Sequence, residues 1–132
     1  MDLLQVENIV TTQLSVRVPK LLKNAYPTIS FTNEVSDKNP RFPNVYVHEL
    51  EPAEIGESIP NNTIHAIRST IQIEVTTNTT KSDARNVINA CVYAMKALNY
   101  SVTALPVYLK DNNVHRFIIR ARRSIANGDN FN

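Results

Sequence analysis

The run from Ile67 to Thr77 alternates without a break: Ile67, Ser69, Ile71, Ile73 and Val75 take one set of positions, and Arg68, Thr70, Gln72 and Glu74 take the other. Successive side chains of a strand point to opposite faces, so this pattern predicts a long strand, Thr63 to Thr77, with one buried face and one wet face. A sheet built on such a strand needs an apolar cover on one side only. The rest of the chain must supply that cover.

Two segments have the period to do so. Leu3, Val6, Val10 and Leu14 recur at three- and four-residue spacings, which predicts an amphipathic helix. Pro19 is expected to interrupt it, as a kink or as the start of a second short helix from Pro19 to Asn24, with Pro27 closing the helical region. The second segment begins at Thr80-Lys81-Ser82-Asp83, where Thr80 can cap and Asp83 suits the positive end of a helix. From there Ala84, Val87, Ile88, Cys91, Met95 and Leu98 keep one face, and Asn99 is placed to end the helix in the left-handed conformation.

Further strands are predicted on either side. Thr28 to Glu34 alternates, and the last part of Phe42 to Leu50 is strand-like, with Pro43 confined to its start or to an edge. Glu51 to Asn62, with Pro52, Gly56 and Pro60, reads as a long acidic connection carrying Glu51, Glu54 and Glu57. Val102 to Lys110 and Val114 to Ile125 form a closing hairpin around Asp111-Asn112-Asn113. The expected fold is α+β: a mostly antiparallel sheet of four to five strands, with an N-terminal helix and one long helix on one face. Residues 1–125 make a single domain, and 126–132 are expected to be a flexible tail.

Function classes narrow by elimination. Nucleophilic catalysis needs an activated Ser or Cys beside a base, and the single cysteine, Cys91, falls on the apolar face of a helix. His48, His65 and His115 sit in separate predicted strands without metal-ligand spacing, so hydrogen-bonded or solvated histidines are expected rather than a metal centre. With only Gly56 and Gly128, the chain has no phosphate-cradling loop. No catalytic residue, cofactor or metal is expected. No run of apolar residues is long enough for a membrane helix, and the polar residues among 1–14 do not fit a secretory leader, so cytoplasmic folding is the expectation.

The charge distribution is more informative. Residues 1–80 carry six basic and nine acidic side chains, while residues 81–132 carry eight and three, so a net charge of +2 conceals −3 and +5. Arg116, Arg120 and Arg122 share one face of the last predicted strand, and Arg123 faces the other way. This stripe reads as a solvated face, as a partner for acidic groups of a neighbouring chain, or as a nucleic-acid surface. The acidic segment reads as a solvated loop or as a contact surface.

The run Arg41-Phe42-Pro43-Asn44-Val45-Tyr46-Val47-His48-Glu49-Leu50 is followed by the Ile-rich strand and by Thr77-Asn78-Thr79-Thr80-Lys81. A helix ending Ala97-Leu98-Asn99-Tyr100 and a closing strand Val114 to Arg122 come next. In order and texture, over residues 3–125, this resembles the tail terminator (tail completion) proteins of tailed bacteriophages. The resemblance implies a virion protein of the tail or neck, forming a ring of six copies on the tail tube. Such a ring stops tube polymerisation and meets the head connector or a neck protein, with DNA only passing through its lumen. It implies contact surfaces rather than a catalytic site. By that resemblance the acidic segment with Glu51, Glu54 and Glu57 would meet a neighbour; from the opposite charges on one chain, Glu54 and Glu57 are expected to face Arg120 or Arg122 of the next copy.

Overall fold

The computed structural model describes residues 5–34, 41–54, 66–126 and 129, with the side chains of 52–54 excepted. Helix α1 (Val6–Leu21) leads into a short strand β1 (Ser30–Thr32), then β2 (Asn44–Glu54) and β3 (Ala66–Thr77). Helix α2 (Lys81–Ala97) crosses over to β4 (Ser101–Asp111), and β5 (Val114–Ala126) returns. The five strands form one sheet in the order β1-β2-β3-β5-β4. All neighbours are antiparallel except β1 and β2, which run parallel. The α+β expectation therefore holds, with one parallel pair at the edge.

Both helices lie on the face that the alternation marks as apolar. Ile67, Ile71, Ile73 and Val75 of β3 are buried together with Val45 and Val47 of β2 and Phe117, Ile119, Ala121 and Ile125 of β5. Against them α1 sets Val6, Val10, Leu14 and Val18, one residue per turn and each fully buried, while α2 contributes Val87, Ile88, Cys91 and Met95. Fully burying an aliphatic side chain contributes about 1.5–3 kcal/mol, so this single layer holds the domain together.

The ends of α2 follow local rules. The Thr80 hydroxyl accepts from the Asp83 N–H at 3.1 Å. The Asp83 carboxylate in turn accepts from the Thr79 and Tyr26 hydroxyls at 2.6 and 3.0 Å. The Thr79 bond above all holds the Asp83 carboxyl below its ordinary value. At the far end Asn99 takes φ 65°, with Asn99 N–H bonded to Lys96 O and Tyr100 N–H to Met95 O, a Schellman motif.

Pro19 does not start a second helix: α1 runs through it to Leu21 as one element. Pro19 has no N–H to give to the Ser15 carbonyl, so α1 gives up one ladder bond in its last turn and continues to Leu21. Lys23 and Asn24 adopt φ 54° and 58°, and the Asn24 N–H closes onto the Pro19 carbonyl, so proline serves there as the acceptor of a second Schellman motif. Two strand bounds also differ from expectation. β1 is confined to Ser30–Thr32, and β2 continues through Glu54, so Glu51 to Glu54 belong to a strand rather than to a loop. The extension contains a bulge between Leu50 and Ala53, where Pro52 has no N–H to contribute to a regular ladder. Ala126 closes β5, and its N–H donates to the Asp129 carboxylate at 2.9 Å.

Candidate contact surface

Among the described residues no helix covers the second face of the sheet. Its composition follows from register: the row Leu50–Thr70–Arg122–Ser101 runs beside His48–Gln72–Arg120–Ala104 and Tyr46–Glu74–Ile118–Val107. The stripe expected on β5 is therefore real, with Arg120 and Arg122 exposed, Arg116 half-buried, and all three on the open face. Arg68, exposed on β3 opposite Ser124, joins them. Among the described residues none of these four arginines forms an ion pair. Arg120 Nε donates to Gln72 Oε1 at 3.0 Å, and Gln72 Nε2 approaches Glu74 Oε1 at 3.5 Å, so the β3 carboxylate reaches that guanidinium only through an amide. Arg116 Nε is buried without a hydrogen-bond partner among the described residues. Arg123 points to the helical side, where it donates to Leu98 O at 2.9 Å.

Two of the acidic candidates lie largely outside this picture. Glu51 is exposed near the far end of β2, Glu54 is described only in its backbone, and Glu57 lies outside the described residues. The histidines do not converge. His48 stacks with Tyr46 on the open face, with centroids 5.9 Å apart. His115 faces the helices and bonds the Tyr108 hydroxyl through Nδ1 at 2.8 Å. The sheet itself separates the two rings, and His65 lies outside the described residues. Among the described residues no group of three metal-ligating side chains occurs. Burial pushes the Cys91 thiol up to about 12, which removes the thiolate needed for nucleophilic attack.

The open edge at β4 adds an apolar element. Leu105, Val107 and Leu109 alternate along it, and Leu105 is 84% exposed. Irregularities between Val102 and Ala104 and between Ala104 and Val107 break the ladder around Pro106.

On the helical side a polar cluster lies at the mouth of the core. The Glu49 N–H donates to Glu7 Oε2 at 2.9 Å, joining α1 to β2. Glu49 Oε1 is itself buried without a hydrogen-bond partner among the described residues. Burial, and next the Glu7 charge, raise the Glu49 carboxyl above its ordinary value, against a backbone hydrogen bond from Glu7. Ser69, the polar member of the β3 alternation, is bonded to the Tyr100 hydroxyl at 2.8 Å. Desolvation pushes that phenol up to about 12. Local sequence patterns contain no sign of this cluster, because its members come from three separate elements and the turn after α2. Only the serine interrupting an isoleucine row marks it.

No family model matches the chain, and no curated protein is significantly similar to it. Among solved structures, the chain is similar to one from the virion of a native gene transfer agent particle. The two share 14% sequence identity over 89% of this chain and 92% of the other, with a TM-score of 0.44.

Proposed function

We propose that this chain is a structural subunit of a phage-type virion. More specifically, we propose a tail terminator: a ring of copies at the head-proximal end of a tail tube, which ends tube growth and meets the head connector or neck. The chain works without catalysis or cofactor, through protein contacts. The observation that carries this reading is the open sheet face with its four arginines lacking carboxylate partners among the described residues, on a chain whose other half is acidic. A head-to-tail ring requires two unlike patches on each copy, and opposite charges on one chain supply them. The sequence resemblance over residues 3–125 gives the ring its place in the tail.

Sedimentation velocity and negative-stain imaging test the ring, alone and with polymerising tube protein. Closed rings, or tubes of reduced length when the chain is added, are the expected result. A chain that stays monomeric and leaves tube length unchanged removes the proposal.

A second reading is favoured by one observation. Arg68, Tyr46 and His48 share the face with the β5 arginines, so aromatic rings accompany the cations. Such a face suits a nucleic-acid backbone. Fluorescence anisotropy with random duplex DNA separates the two: affinity falling steeply between low and moderate salt supports nucleic acid, with a slope of about −0.9 per phosphate contacted.

A further inference from the structure

The outer side of the helical layer has a groove that the sheet-side contacts leave unused. It runs between α1 and α2 as two adjoining hollows of about 480 and 570 Å³, which share Leu21 and Tyr93. Its floor is apolar, with Val16 and Leu21 each 50% and Tyr93 67% exposed. Its rim is cationic: Arg17, Lys20 and Lys23 line it, and among the described residues no carboxylate does. Large apolar side chains exposed together beside one sign of charge mark a contact site, and the occupant that fits is apolar and acidic.

The chain carries one segment with that chemistry. Glu51, Glu54 and Glu57 are interleaved with Ile55 and Ile59, the only bulky apolar residues of that stretch. We infer that the α1–α2 groove receives residues 51–59 of a second copy, the isoleucines on its apolar floor and the glutamates toward Arg17, Lys20 and Lys23. This rests on the self-assembly reading and gives the acidic segment the groove in place of Arg120 and Arg122, leaving the open-face arginines to a different neighbour.

The placement of the two parts favours a neighbour over the same chain. The Glu49 N–H bonds Glu7, in the first turn of α1, and β2 runs on from there to Glu54, still paired with β3. The groove lies at Val16–Leu21, in the last turns, roughly 15–20 Å further along at 1.5 Å per residue. Glu51, where the acidic segment begins, thus lies near one end of α1 and the groove near the other, which is the arrangement a head-to-tail contact needs. The open-face arginines and the exposed Leu105, Val107 and Leu109 of β4 offer charge and apolar surface on the sheet side, but the groove sets the two together in one hollow, with Arg17 and Lys20 beside Val16 and Leu21.

The test uses the full-length chain, labelled with 15N, and an unlabelled synthetic peptide of residues 49–61. The expected result is that amide resonances of Val16, Leu21 and Tyr93 move on titration. The exposed substitution Tyr93→Ser, checked for retained fold by circular dichroism, should abolish those shifts. Lys20→Glu with Lys23→Glu should weaken binding about tenfold, the effect of two rim charge contacts. A peptide with lysine at 51, 54 and 57 should recover binding to that reversed variant. Shifts confined to Arg116, Arg120 and Arg122 would assign the segment to the sheet face and overturn the inference, as would no shifts at all. If rings form while the peptide ignores the groove, the groove assignment falls and the ring stands. If the peptide fills the groove of a chain that never oligomerises, the ring falls and the second copy as occupant falls with it.

Discussion

The two faces of one sheet do different work here, although they are built from alternate residues of the same strands. On the covered face, β3 and β5 present Ile71, Ile73, Ile119 and Ala121, each fully buried. One residue away along the same strands, the open face presents Thr70, Gln72, Arg120 and Arg122. A strand shifted by one residue would exchange the two sets, so the apolar face fixes the register and the register arranges the arginines. Stability is held by one face, and the other is left free to carry contacts.

Substitution on the two faces should therefore separate folding from association. Ile73→Ala is expected to lower unfolding free energy by about 2–5 kcal/mol, read from urea denaturation. A smaller loss, comparable to that at an exposed site, would mean that the covered face is less tightly packed than its burial indicates. Removing the Tyr100 hydroxyl with Tyr100→Phe leaves the buried Ser69 hydroxyl without its 2.8 Å partner. That should cost about 1–3 kcal/mol in the same measurement. Thr80→Ala removes the cap of α2 and should cost about 1 kcal/mol. Arg120→Ala with Arg122→Ala belongs to the other class: a change within about 0.5 kcal/mol in stability, accompanied by altered sedimentation of the assembled species. If this double variant unfolds the domain instead, the division between the faces fails.

Glu49 sharpens the same comparison through pH, because it places a carboxyl on the covered side. Its raised value means that the folded chain holds the proton more tightly than the unfolded chain. The associated stability is fully present below the ordinary carboxylate value and is lost as pH rises through the folded value. At neutral pH the charged form therefore opposes folding. Glu49→Gln should stabilise the domain at pH 7 and converge with the parent at low pH, in thermal melts across that range. A parent more stable than Glu49→Gln at pH 7 would show that the charged carboxylate has a partner that stabilises it.

What the sequence made legible was whatever depends on neighbours along the chain. The α2 face, its cap at Thr80 and its stop at Asn99 follow from local spacing and from asparagine's tolerance of positive φ. The period of two located the covered face of β3 before any partner strand was known. A second helix starting at Pro19 does not form, because one lost ladder bond does not end α1 before the Schellman stop at Lys23 and Asn24. The parallel β1–β2 pair, and the company of Arg68, Tyr46 and His48 with the β5 arginines, depend on cross-strand register, which no local pattern encodes. The Glu7–Glu49 and Ser69–Tyr100 contacts were hidden for the same reason. The groove was hidden because Val16 and Tyr93 fall off the main apolar stripes of their helices, while Leu21, in phase with Leu14 and Val18, reads as core although it is half exposed.

The order β3-β5-β4 has a consequence for how the polypeptide emerges during synthesis. The strand that enters the sheet between β3 and β4 is made after both of them. Until it arrives, β3 exposes an unpaired row of backbone groups beside its isoleucines, and the long-range pairing that would cover them has no partner. The nascent chain thus passes through a sticky stage that ends only when β5 slots home, and a premature stop early in β5 would leave that stage permanent.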